Sequence, residues 1–222
     1  VVAFPDSPID PAEFLEELLP RAFAEADLPD ELRGVGMTFG VRLEGEGGGE
    51  WLVHLRDGSV RVERGACATA AFSLVQSVAD WRGALWEGRG GALGRQAAAV
   101  FRPGSGAAAR AGELGAFSAA ALAEMQALSG MVRLCVTGGD GGDWSVALKL
   151  GPGEIPAEAT TTVSIRAEDV DAMERGELGA IEAFMGGRIQ VAGDVALLMQ
   201  MQAIQMQAAA ARPPGAGGRT GG

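Results

Sequence analysis

The side chains equipped for chemistry are few, and their settings limit what they can do. His54 is the sole histidine. It holds a polar position in the alternating run Trp51-Leu52-Val53-His54-Leu55, the setting of an exposed strand residue, and the sequence shows no oriented partner for a general base. Cys67 and Cys135, with one histidine, fall short of a metal-ligand set, and two cysteines imply no disulfide framework. Both lie in apolar, strand-like surroundings and are expected to be small buried thiols. Ser105 belongs to Pro-Gly-Ser-Gly, a linker and not a strand-to-helix elbow. The acid pairs Glu168-Asp169 and Asp169/Asp171 open an exposed helix, where capping accounts for them. Gly45-x-Gly-Gly-Gly superficially matches a phosphate loop, but no helix opens after it and no Gly-Lys-Ser/Thr occurs. The expectation is a protein with no catalytic residues, no metal site and no cofactor.

Two amides are placed unusually. In the stretch 186–207, GGRIQVAGDVALLMQMQAIQMQ, Arg188–Ala192 reads as a short strand. Gly193-Asp194 is a turn, and a helix runs on to the alanines at 208–211. Asp194 is suited to cap that helix, its carboxylate facing free backbone N–H groups and the positive helix end. At 100° per residue Leu197, Leu198, Met201, Ile204, Val195, Met199 and Met206 fill a very wide apolar arc. Ala196, Ala203, Gln200 and Gln207 take the narrow remaining face, and Gln202 and Gln205 fall inside the arc. Amides facing an apolar interior need partners. One reading has both satisfied by backbone groups or water at a core edge. The other is an apolar cavity whose few polar groups orient an amphipathic ligand, lined by methionines that repack around different guests.

The same stretch carries a resemblance. Phe184-Met185-Gly186-Gly187-Arg188-Ile189-Gln190-Val191-Ala192-Gly193-Asp194, followed by Leu197-Leu198-Met199-Gln200-Met201-Gln202-Ala203-Ile204-Gln205-Met206-Gln207, resembles the end of the type-2 sterol carrier proteins, the nonspecific lipid-transfer proteins. Arg188 replaces the usual lysine of their pattern. The resemblance implies an α+β fold, a mainly antiparallel sheet covered by helices, with a lipid tunnel partly closed by the last helix. It further implies a ligand-binding set of Phe184, Met185, Ile189, Val191, Leu198, Met201 and Ile204, opposed by Phe117, Leu122 and Met125. Gln202 and Gln205 would hold the lipid's polar head.

Those residues need elements to position them. Ile9 to Ala26 forms an amphipathic helix with Asp10 as cap, Pro11 in the first turn and Phe14, Leu15, Leu18, Leu19 and Phe23 as its stripe. Pro20 should kink or divide it, and Glu13, Glu16 and Glu17 read as a solvated face. From Met37 the period becomes two: Phe39, Val41 and Leu43, a glycine turn, Trp51, Val53 and Leu55, a turn at Asp57-Gly58, then Val60 and Val62. Ala68–Leu74 reads as a fourth strand. The same grammar then returns. A helix at Glu113–Ser129 is followed by strands at Met131–Val136, Trp144–Leu150 and Thr160–Ile165, and Gly-Gly-Gly-Glu-Trp51 corresponds to Asp-Gly-Gly-Asp-Trp144. This is an internal repeat. The sequence thus predicts a divergent first module at 1–102 lacking the final strand and helix, and a linker at 103–112. A complete module at 113–211 and a disordered tail at 212–222 follow. Trp81 and Trp86 are expected in the core.

At 222 residues with 47% hydrophobic and 21% charged content, the chain can bury a real core. No run of about twenty apolar residues exists to span a membrane. A net charge of −11 argues against nucleic acid as a partner, because binding it requires clustered cations. No signal-peptide pattern opens at Val1, and Arg219-Thr-Gly-Gly is not a Ser-Lys-Leu address; with reduced thiols, a cytoplasmic location is expected. Two functions remain in view. One is non-catalytic binding and transfer of sterol-like, fatty-acyl or isoprenoid lipids. The other is service as an accessory subunit of a lipid-processing or quinone-biosynthesis complex, with the first module as the protein-binding surface.

Overall fold

The computed structural model describes residues 3–25, 36–99, 101–102, 124 and 126–210, the side chains of 205 and 208–210 excepted. The expected linker and tail lie outside the described residues, as does most of the expected helix Glu113–Ser129.

Helix α1 covers residues 11–25 and starts where Asp10 Oδ1 accepts the backbone N–H of Ala12 at 2.8 Å. Phe14, Leu15 and Leu19 are buried along it. Pro20 does not divide the helix. A π-helical turn, Glu13–Leu18, precedes it and absorbs the hydrogen bond that proline cannot donate. Nor is Glu16 merely solvated. Its Oε1 accepts from the Trp51 indole at 2.8 Å and from Arg64 Nε at 2.6 Å, tying α1 to the sheet beneath.

Eight strands form one sheet: β1 Met37–Glu44, β2 Gly49–Arg56, β3 Ser59–Arg64, β4 Phe72–Ser77, β5 Gly130–Thr137, β6 Trp144–Leu150, β7 Thr161–Arg166 and β8 Ile189–Gly193. Their spatial order is β3-β2-β1-β4-β6-β5-β7-β8. The alternating runs explain β1 to β3, whose apolar positions Phe39, Val41, Trp51 and Val53 face one core. The fourth strand lies later than its pattern predicts. Cys67–Thr69 is a 3-10 turn, held where Glu50 Oε2 accepts the Cys67 N–H at 2.9 Å. Strand pairing begins at Gly40↔Ser73. The leading residues Ala68, Ala70 and Ala71 are small and weak strand formers, so the partner β1 decides where pairing starts. Gly40 permits that pairing, because a Cβ there would stand 2.5 Å from Ser73 Oγ and 2.7 Å from Cys67 Sγ.

Two connection patterns recur. β1–β2 is antiparallel with β4 parallel to β1, and β5–β6 is antiparallel with β7 parallel to β5. β3 flanks the first set and β8 the second. Between them β4 pairs antiparallel with β6, from Phe72↔Leu150 to Val75↔Ala147. β6 thus stands on the open side of β4, and β4 on the open side of β6.

The helices lie over one face. α2 runs through residues 78–87 and α3 through Gly91–Ala99. α4 (Ala167–Glu174), α5 (Ala180–Met185) and α6 (Val195–Ala210) follow in the second half. One apolar cluster joins Phe14, Trp51 and Trp81 to Trp144, Ile165 and Val170, so the core crosses the β4–β6 seam. The Trp144 indole donates to Asp80 O at 3.0 Å across the same boundary. Trp81 is buried, and Trp86 is half-buried with its indole N–H on Pro5 O.

Candidate functional site

The sequence that follows β7 is folded against it by short polar contacts. Thr161 Oγ1 donates to Asp194 O at 2.7 Å, and Asp194 N–H bonds Thr160 O. Asp194 Oδ1 then accepts the Ala196 N–H at 2.8 Å and starts α6. This directs α6 over the helix-side face of the sheet. Gly130, opposite Leu150 at the start of β5, makes room for it: a Cβ there would lie 2.8 Å from Leu197 Cδ2, and its φ of +137° also favours glycine.

Beneath and beside α6 the sheet presents a strip of half-buried aliphatic residues. Opposed residues share a face. Leu74 and Val132 both oppose Leu148, Leu134 opposes Val146 and Val163, and Val163 opposes Val191. None of these side chains reaches full burial. From α6, Leu197 and Ile204 are buried, while Leu198 and Met201 are half-buried. The residues 197, 198, 201 and 204 follow the i, i+1, i+4, i+7 spacing of one helix face. The very wide arc read from the sequence is therefore only partly used: Val195, Met199 and Met206 are exposed, the last two at 66%.

The expected ligand set is distributed as follows. Ile189 and Val191 are half-buried on β8. Gln202 is exposed next to half-buried Met201, and the side chain of Gln205 lies outside the described residues. Phe184 and Met185 are exposed on α5, at 51% and 79%, with Ile181 at 82% beside them. Phe117, Leu122 and Met125 lie outside the described residues. Leu74 and Phe72, from the first half of the chain, extend the strip across the seam, with Phe72 stacked on Phe39 at 5.4 Å. Sequence spacing gave no sign of them, because the β4–β6 pairing joins residues some seventy positions apart.

Charged groups near the site act as fasteners. Asp169, expected at an exposed helix start, is instead buried, and accepts Arg188 Nη1 at 2.7 Å. That bond joins the start of α4 to the turn before β8, since Arg188 follows the glycine turn directly. On the other sheet face the buried Lys149 ammonium donates to the carbonyls of Gly151 and Gly153, both at 2.6 Å, and burial lowers its pKa. Cys67 is buried in a turn, and burial pushes its thiol up to about 11. Cys135 is half-buried on β5 and shifted in the same direction by burial.

His54 is not simply exposed. Its Nδ1 lies 2.8 Å from Thr38 Oγ1 and its Nε2 3.3 Å from Glu63 Oε1. It lines a cleft of about 810 Å³ at the free end of β1, β2 and β3, and a second hollow of about 290 Å³ lies at the β1–β2 turn. Among the described residues, neither is lined by a member of the expected ligand set. Among the described residues no cluster of three metal-ligating side chains occurs, and no helix is long and apolar enough to cross a membrane.

Residues 111–206 match the SCP-2 sterol transfer family. The C-terminal half of the chain carries an SCP2 module. The match embraces β5 to β8 and α6 through Met206, the elements that build the aliphatic strip. Lipid binding, in general terms, is the activity an SCP2 module brings. Among solved structures, the sterol carrier protein domain 2 of Helicoverpa armigera is 25% identical over 40% of this chain and 76% of its own, with a TM-score of 0.31. Sterol carrier protein 2 like 2 from Aedes aegypti is 22% identical over 33% and 70%, at 0.27. Sterol carrier protein 2 from Yarrowia lipolytica is 15% identical over 45% and 79%, at 0.28. No curated protein sequence matches the chain.

Proposed function

We propose that the protein is a non-catalytic carrier that binds and transfers a sterol-like, fatty-acyl or isoprenoid lipid along the aliphatic strip between β5–β8 and α6. The observation that carries this reading is the strip itself: contiguous aliphatic side chains on four strands, left half-buried under a helix whose inner face is also aliphatic. Covering about 300 Å² of apolar ligand surface would contribute roughly 7 kcal/mol before the cost of ordering the ligand. Gln202, exposed beside Met201, stands where a polar head leaving the strip meets water. Phe184 and Met185 on α5, Ile189 and Val191 on β8, and Phe117, Leu122 and Met125 complete the proposed lining.

In this reading the chain is a tandem of a divergent module, 1–102, and a complete one, 113–211, joined by the stretch 103–112 and followed by the tail 212–222. The first lacks its own last strand and helix, and β6 takes the place of the strand. Native mass spectrometry of protein purified from cells tests the assignment. A lipid co-purifying at about one per chain is expected. A stoichiometric protein partner without lipid would overturn it in favour of the accessory-subunit role.

A further inference from the structure

The cleft at the free end of β1, β2 and β3 is separate from the aliphatic strip and has a different character. At about 810 Å³ it is of the size that holds a small organic molecule. Register builds its polar wall. Thr38 opposes His54, His54 opposes Arg61, and Arg56 opposes Ser59 one step along the hairpin. Because opposed residues share a face, an imidazole, two guanidinium groups and two hydroxyls gather on one side. Glu63 is the one carboxylate among the described lining residues, and it is already engaged by His54 and by Arg61, whose Nη2 lies 2.9 Å away. Arg56 has no carboxylate within ion-pair distance among the described residues. Two guanidinium groups against one carboxylate leave this wall positive in a chain of net charge −11.

The facing wall is formed by Ala70, Ala71 and Pro152, while Met37 and Leu55 turn their side chains into the core on the other face of the sheet. It is held in place from behind. Lys149 clamps the carbonyls on either side of Pro152, Gly153 N–H bonds Ala68 O at 2.7 Å, and Ala71 N–H bonds Thr38 O at 3.0 Å. Residues from both halves of the chain therefore fix the cleft's shape before any ligand arrives.

We propose that this cleft binds a small amphipathic organic anion, its phosphate or carboxylate on Arg56 and Arg61 and its short apolar body against Ala70, Ala71 and Pro152. Guanidinium groups suit that head because they pair with planar or tetrahedral oxyanions through two parallel N–H bonds. The site does not depend on the lipid-carrier reading, and among the described residues it is lined by none that reading uses.

The sole histidine makes the test direct, since its ring protons report on this cleft alone. The full-length protein is titrated at constant pH with hexyl phosphate, inorganic phosphate and hexanol, and the His54 proton resonances are followed by NMR. Hexyl phosphate should shift them saturably, inorganic phosphate should bind at least about ten-fold more weakly, and hexanol should leave them in place. Arg56→Gln should weaken hexyl phosphate about ten-fold. Arg166→Gln, an equal charge change at a residue 70% exposed elsewhere, should not. No saturable shift, equal affinity of the two variants, or an equal response to hexanol would overturn the anion site. Inorganic phosphate binding as tightly as hexyl phosphate would overturn the amphipathic ligand. Displacement of a fluorescent fatty acid by dodecanol reads the aliphatic strip separately, so either reading can fail without the other.

Discussion

At the residue scale, single polar groups do their work by joining elements. Glu16 is the clearest case. The Trp51 indole and then Arg64 hold its carboxyl below the ordinary value of 4.5. A carboxyl with a lowered folded pKa contributes stability above its unfolded value, and loses it as pH falls through the folded one. Urea midpoints should therefore drop below about pH 4.5 in the wild type, and Glu16→Gln should flatten that part of the profile. An unchanged acid limb in the variant would show that the bonds contribute nothing. The side chain is 37% exposed, so solvent screening keeps its share small. Cys67 behaves oppositely, since burial disfavours its thiolate. With a pKa of about 11, only about one molecule in a thousand carries the thiolate at pH 8. Cys67 should therefore label far more slowly than a free thiol until denaturant is added, and half-buried Cys135 should be the faster of the two. Rapid stoichiometric labelling of Cys67 in the native protein would contradict its placement.

At the element scale, the proposed lipid site turns on α6. Its inner face is Leu197, Leu198, Met201 and Ile204; its outer face leaves Met199 and Met206 in solvent. Gln200 and Gln202 are both exposed and flank Met201, but Gln202 stands one turn from half-buried Leu198, whereas Gln200 lies between the buried Leu197 and Ile204. If a fatty acid lies along the strip with its head at Gln202, Gln202→Leu should weaken it several-fold, the effect of one neutral hydrogen bond at about 0.5–1.5 kcal/mol. Gln200→Leu should change affinity by less than about two-fold on the same grounds. Displacement of a fluorescent fatty acid measures both, with thermal melts as the folding control. Equal affinities for wild type and both variants would leave Gln202 as a solvated surface amide.

At the scale of the whole molecule, the β4–β6 seam governs behaviour. Four register pairs cross it, Gln76 Nε2 reaches Ser145 O at 3.0 Å, and one apolar cluster spans both sides. Neither half can open without exposing the other's core and a sheet edge. Unfolding should accordingly be a single transition, coincident by tryptophan fluorescence and far-UV circular dichroism. Val75→Pro, which removes a ladder N–H from a strand paired on both sides, should lower the midpoint or split the transition. Two well-separated transitions in the wild type would mean that the halves fold independently.

Local chemistry alone determined a good deal. Periodicity of two placed β1, β2, β3, β5, β6 and β7 within a residue or two, because each has one apolar face and all but β7 end at a glycine or Asp-Gly turn. Asp10 and Asp194 were legible as caps since a cap needs only its own two or three following N–H groups. The closing motif of β8 and α6 identified the SCP2 module for the same reason: it is contiguous in sequence. Everything that depended on a distant partner was decided by the tertiary structure. β4 slid to Phe72–Ser77 because β1 and β6 both pair with it there. Asp169 was buried by Arg188, nineteen residues away, and His54 found Thr38 and Glu63 only after three strands aligned. The width of the apolar arc on α6 was a property of its sequence, but which part faces the sheet was set by where Thr160, Thr161 and Gly130 anchor its start. A helix that is apolar nearly all round carries no preferred face of its own, so only its attachment to the sheet can choose one.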